Sequence, residues 1–167
     1  MISKYFSDAT LARFAKEVAK YPADQKQSAV MACLAIVQQE VGHVSPESEK
    51  VVADYLDMAP IAVHEVTTFY NMYNQHQLGK YKLNVCTNLP CQLRDGERAL
   101  KHLEQKLGIS MGDTTPDGMF TLQQCECLGA CADSPVLLVN DRTMCSFMSN
   151  DKLDQLVDGL RAAGDKS

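Results

Sequence analysis

The chain has 167 residues, enough for one large domain or two small ones. Hydrophobic residues make up 46% and charged residues 22%, an ordinary globular composition. A formal net charge of −5 argues against non-specific binding to nucleic acid or anionic membrane, and no apolar run approaches the ~20 residues that span a bilayer.

The first eight residues, Met-Ile-Ser-Lys-Tyr-Phe-Ser-Asp, lack the apolar core of a signal peptide, so a cytoplasmic protein is expected. Seven cysteines then stand out. Structural disulfides are not expected in a reducing cytoplasm, and an odd number cannot pair completely within one chain. Metal ligation or redox chemistry becomes the leading reading.

The N-terminal half reads as helices. Ser7 is placed to cap a helix carrying Leu11, Phe14, Ala15 and Val18 on one face, with Pro22 beyond its end. Asp24 followed by Gln27 resembles a capping box, opening a helix that buries Val30, Leu34, Val37 and Val41 and stops at Gly42. Ser45-Pro46 is a cap followed by proline at the first helical position, ahead of Val51, Val52, Tyr55 and Leu56. Pro60 opens a fourth helix to about Tyr70. A small bundle over residues 1–78 follows. His43 and His64 are isolated and read as structural. Cys33 lies in an apolar stretch and reads as a buried, inert thiol. Phe69, Tyr70 and Tyr73 read as packing between the two halves or against a partner.

From Gly79 the period changes. Tyr81, Leu83 and Val85 alternate with Lys82 and Asn84, the pattern of a half-buried strand that runs into Cys86. A helix with Leu100, Leu103 and Leu107 inward follows the Cys86–Cys91 loop and stops at Gly108. Pro116-Asp117-Gly118 is a turn. Phe120-Thr121-Leu122 begins a second strand toward Cys125 and Cys127, Val136–Val139 is a third, and Asn140-Asp141 turns it into a fourth through Met144 and Cys145. A last helix, capped near Ser149 or Asn150, carries Leu153, Leu156, Val157 and Leu160. The expectation is an α+β chain: a helical bundle, then a β-α-β-β-β-α domain over 79–167 with a thioredoxin-like sheet.

The first βαβ unit makes its two strands parallel, so their C-terminal ends share one edge of the sheet. Cys86 and Cys91 follow the first strand; Cys127 and Cys131 follow the second. The topology therefore gathers both pairs into one site. Soft thiolates select zinc, Cu(I) or iron–sulfur clusters. Each pair alone is compatible with zinc. A binuclear cluster takes two thiolates per iron, which suits two pairs on two loops. Spacing leaves both open and leans to [2Fe–2S]. A thioredoxin-type dithiol needs C-x-x-C, which is absent. Small residues at Leu128-Gly129-Ala130 let backbone N–H groups approach sulfur; Thr87 and Asn88 could donate from the other loop. Gly129 equally suits a left-handed turn. Cys125 reads as a core residue beside the ligands, and Cys145 as buried. Arg94, Arg98 and Lys101 mark a solvated helix face, or a docking face for an acidic partner. No dinucleotide or P-loop fingerprint is present.

These residues carry a resemblance. Cys86-Thr87-Asn88-Leu89-Pro90-Cys91, Asp117-Gly118-Met119-Phe120-Thr121-Leu122 and Glu126-Cys127-Leu128-Gly129-Ala130-Cys131 resemble the NuoE family. So do Val66, Thr68-Phe69-Tyr70, Gly79-Lys80-Tyr81, Pro135-Val136 and Val139-Asn140. This family is the thioredoxin-like [2Fe–2S] subunit of respiratory complex I, NADH:quinone oxidoreductase. The resemblance implies one [2Fe–2S] cluster on Cys86, Cys91, Cys127 and Cys131, and no complete active site on this chain alone. It implies a flavin-bearing, NADH-oxidising partner that holds FMN and NADH. It implies a place peripheral to the inner membrane through the complex. Equivalent subunits of NAD-reducing hydrogenases or NAD-linked formate dehydrogenases are the alternative setting, and a zinc-stabilised adaptor without a redox role is the alternative class. Cys125 departs from the family, which leads one to expect an aliphatic residue there.

Overall fold

The computed structural model describes residues 5–164. Residues 1–4, half of the stretch read above for a signal peptide, lie outside the described residues. The chain divides into two compact units, Met1–Gln77 and Leu78–Ser167. Among the described residues no helix is long and apolar enough to cross a membrane.

The first unit is helical: α1 (Asp8–Val18), α2 (Val30–Val41), α3 (Pro46–Leu56) and α4 (Pro60–Phe69). Local chemistry sets the ends. The Ser7 side chain accepts from Thr10 N, and Ser45 accepts from Ser48 N with Pro46 behind it. Gly42 ends α2 in the left-handed region at φ 88°. Phe14, Leu34, Val37, Val52, Leu56 and Val63 are fully or almost fully buried and form this unit's core, with Phe6 and Tyr55 edge-on to Phe14.

Several expectations change here. Asp24 and Gln27 make no capping box: Ala23–Ala29 is a 3₁₀ segment broken at Gln25 (φ −120°), and α2 begins only at Val30. Val41 and Ala15 are exposed, because Val41 lies past the core at the last turn and Ala15 falls outside the inward face of α1, which carries Leu11, Phe14 and Val18. Tyr73, read as packing between the halves or against a partner, is buried in this unit's own core, its hydroxyl donating to the Met31 carbonyl at 2.9 Å. Phe69 and Tyr70 stay exposed, stacked edge-on against each other. His64 is not isolated, since its Nδ1 lies 2.9 Å from the buried Glu49 carboxylate, whose other oxygen accepts from the Thr67 hydroxyl. His43 Nδ1 is buried with no partner among the described residues.

The second unit runs β1 (Tyr81–Cys86), α5 (Leu89–Gln92), α6 (Gly96–Leu107), β2 (Phe120–Cys125), β3 (Leu137–Val139), β4 (Thr143–Cys145) and α7 (Asn150–Gly164). The four strands form one mixed sheet in the order β2-β1-β3-β4. β1 and β2 are parallel, in a register that sets Cys86 opposite Cys125; β3 is antiparallel to both β1 and β4. Leu83, Val85, Phe120, Leu122, Leu137 and Val139 meet Leu103 and Leu107 of α6 and Leu153 and Val157 of α7 in one core. This is the expected α+β class with the β-α-β-β-β-α order, plus the short α5.

β1 is not half-buried. As the second strand of the sheet it is covered on both faces, and Lys82 and Asn84 are buried as fully as their apolar neighbours. Their polar ends meet Asp141: Lys82 Nζ lies 2.6 Å from one carboxylate oxygen and Asn84 Nδ2 donates to the other at 2.6 Å. A buried cation is tolerated where such a counter-charge stands beside it.

Candidate metal centre

The parallel β1–β2 pair ends at one edge of the sheet, and the cysteine loops leave from that edge. The first loop is ordered by helix. Cys91 lies inside α5, where its N–H donates to the Asn88 carbonyl at 2.9 Å. Gly96 opens α6 directly against this turn. A Cβ there would sit 2.7 Å from the Cys91 carbonyl oxygen, so glycine lets the helix and the cysteine turn approach. Cys86 and Cys91 are both buried, in an apolar cluster with Cys125 and Val136, and with Leu128 and Ala130 partly buried against it.

The second loop is open. Cys127 is exposed and Cys131 half-buried, with their sulfurs 3.4 Å apart. Gly129 turns the chain between them at φ 77° and its N–H points to Cys127 Sγ at 3.4 Å. Both readings of this glycine hold together. Cys131 begins a 3₁₀ turn, Cys131–Asp133, leading to Ser134 and a cis Ser134–Pro135 peptide.

Backbone donors converge on the sulfurs. Burial pushes the Cys86 thiol up, against the N–H groups of Asn88 and Leu128, which favour its thiolate. Burial also acts against ionisation of Cys91, but the Ser134 hydroxyl, the Val136 N–H and Cys86 outweigh it and bring this thiol below its ordinary value. Cys131 is raised by its hydrogen bond with Cys127, then by burial and by the nearby thiols of Cys91 and Cys86. All four sequence-selected cysteines leave the same edge of the sheet as two pairs, with Cys131 in contact with Cys127 and near enough to Cys91 and Cys86 to be influenced by them. Cys125 lies behind them on the strand, pushed up to about 12 by burial and by Cys86. Cys33, in the first unit, is fully buried and pushed up to about 12 by burial. Cys145 is half-buried rather than buried, because β4 is an edge strand.

The donor set suits an iron–sulfur group: four thiols, backbone N–H groups aimed at sulfur, and a small-residue turn. Among the described residues no three or more His, Cys, Asp or Glu side chains stand close enough together to form a closed metal site. Two pairs are what a binuclear group asks for, since each iron takes its own two thiolates.

Two cross-loop ties escaped sequence reasoning. Asn88 does not send its side chain to sulfur; its Nδ2 donates to Glu126 Oε2 at 2.8 Å, joining the first loop to the residue before Cys127. Ser134 Oγ donates to the Cys131 carbonyl at 2.7 Å and lies 3.4 Å from Cys91 Sγ. Arg94, read as part of a solvated face, donates to the Ala132 carbonyl at 3.3 Å, whereas Arg98 and Lys101 pair with Asp95 and Glu97 on their own helix. The one local signal was Ser134 itself, a serine placed to bond back to the carbonyl three residues earlier.

A thioredoxin-like sheet with two cysteine pairs at one edge defines a class, and comparison with known proteins agrees. Residues 14–161 match the thioredoxin-like [2Fe–2S] ferredoxin family, and the chain belongs to it. It is 40% identical over 144 residues to NADH-quinone oxidoreductase subunit 2 of Thermus thermophilus, covering 86% of this chain and 80% of that one. It is 38% identical over 162 residues to an NADH-quinone oxidoreductase subunit of Rickettsia conorii, covering 96% of each. Among solved structures, an air-oxidised NAD⁺-reducing [NiFe]-hydrogenase aligns at a TM-score of 0.68 and 17% identity over 81% of this chain, a likeness of fold. This chain spans 23% of that hydrogenase chain.

Proposed function

We propose that Cys86, Cys91, Cys127 and Cys131 ligate one [2Fe–2S] cluster, and that the chain passes electrons as a subunit of an NADH:quinone oxidoreductase. The observation that carries this is the pairing of four thiols at the shared end of two parallel strands. Family membership implies the cluster, and relatives named as NADH-quinone oxidoreductase subunits supply the setting. The likeness to an NAD⁺-reducing hydrogenase rests on fold alone, so that setting ranks second.

When bound, the cluster supplies a one-electron couple. The residues divide the rest of the work. Cys86 and Cys91, buried among Val136, Leu128 and Ala130, form the side from which water is excluded. Cys127 and Cys131 face outward, on the side where an electron partner can come close. N–H groups of Asn88, Leu128, Gly129 and Val136 hold negative charge on sulfur. The partner is a flavin-bearing, NADH-oxidising subunit carrying FMN, and attachment to the inner membrane comes through the assembled complex.

Replacing each of the seven cysteines by serine in turn tests the ligand set. Loss or strong distortion of the visible and electron paramagnetic resonance spectra is expected for Cys86, Cys91, Cys127 and Cys131, because serine oxygen is a poor substitute for thiolate. Unchanged spectra are expected for Cys33, Cys125 and Cys145. Bleaching by Cys125→Ser with retention in Cys127→Ser would refute the assignment in the second loop.

A further inference from the structure

We propose that the Ser134 hydroxyl raises the electron affinity of the centre by donating its hydrogen bond to Cys91 Sγ. The inference rests on the ligand reading above and goes beyond it by naming a positioning residue that touches no iron.

Ser134 is 2% exposed, so its hydroxyl is shielded from bulk water. Oγ stands between two acceptors, the Cys131 carbonyl at 2.7 Å and Cys91 Sγ at 3.4 Å, and has one proton to give. With Cys91 as a thiol, the S–H can donate to Oγ while the hydroxyl serves the carbonyl. A ligating Cys91 has lost that proton and carries negative charge. Hydrogen bonds to an ionised acceptor are roughly twice as strong as neutral ones, so the hydroxyl turns to sulfur. The carbonyl is not orphaned by this, because the Ser134 N–H also points to it at 3.4 Å. An added electron deepens the negative charge on the ligand sulfurs. The bond therefore stabilises the reduced state more than the oxidised one, which moves the potential upward.

The other donors at this site are backbone N–H groups of Asn88, Leu128, Gly129 and Val136. Among the described residues Ser134 is the side-chain hydroxyl set against one of these sulfurs, so a substitution can remove it alone.

The test is a potentiometric titration of the full-length, cluster-loaded chain, followed by the electron paramagnetic resonance signal of the reduced form. Wild type is compared with Ser134→Ala, Ser134→Gly and Ser134→Thr. The midpoint of Ser134→Ala or Ser134→Gly should fall below that of wild type at full cluster content, while Ser134→Thr, which keeps a hydroxyl, stays with wild type. A midpoint unchanged in Ser134→Ala overturns the inference, as does a Ser134→Thr midpoint that falls with it. Loss of the centre from both Ala and Gly variants, with retention in Thr, would assign the hydroxyl to loop folding and overturn it too. No signal from wild type itself would sink the ligand reading, and this inference with it.

Discussion

Asn88 and Glu126 tie the two cysteine loops together through their side chains. Their 2.8 Å bond crosses from the middle of the Cys86–Cys91 loop to the residue before Cys127, near the surface. Asn88→Ala, which removes this tie, should lose the proposed cluster to a chelator faster than wild type. Asn88→Asp, which sets a second carboxylate against Glu126, should lose it faster still. Equal loss rates for wild type and both variants would show that the bond is idle. That the two cysteine pairs end at one edge of the sheet was legible, because each pair follows one of two parallel strands. Asn88–Glu126 and Ser134–Cys91 were not legible: their members stand 38 and 43 residues apart and meet only once the sheet has formed.

At the level of elements, helix ends were readable because their signals are local: Ser7, Ser45-Pro46, Gly42 and Gly108 all act within a turn. β1 misled because alternation reports side-chain polarity, not the cover on each face. Lys82 and Asn84 are buried by virtue of Asp141, 57 or more residues downstream. The pairing of α6 with α7 makes a further expectation. Asp154 on α7 accepts from His102 and pairs with Lys106 of α6, and these contacts, His102 first, hold its carboxyl below the ordinary 3.8. A depressed carboxyl contributes stability above its unfolded value and loses it as pH falls through the folded one. Asp154→Asn should thus lower the thermal midpoint slightly at pH 7, and the difference should shrink as pH falls below 3.8 and the folded carboxyl takes up its proton. A difference independent of pH would mean that packing, not charge, was lost. Leu103→Ala, in the fully buried face of the same helix, should cost a pH-independent amount of about 2–5 kcal/mol in chemical denaturation.

Among the described residues each unit has a hydrophobic core of its own. The cysteine-bearing unit draws its core from its own sheet and from α6 and α7, so residues 78–167 expressed alone should still hold the cluster. The helical unit leaves Phe69 at 79% exposure. We assign much of the docking to the flavin-bearing subunit to this unit. Removing residues 1–76 should weaken co-purification with that partner while leaving the cluster spectrum in place, and the isolated full chain should not bind NADH in calorimetry. Undiminished co-purification, or micromolar NADH binding, would contradict this division of labour. The proposed cluster is open to one measurement: metal and acid-labile sulfide analysis of the anaerobically purified chain, with electron paramagnetic resonance after one-electron reduction. Iron and sulfide in equal amounts in a reddish-brown protein, with a signal from the reduced cluster, is the expected result. A colourless protein with one zinc per chain would contradict it.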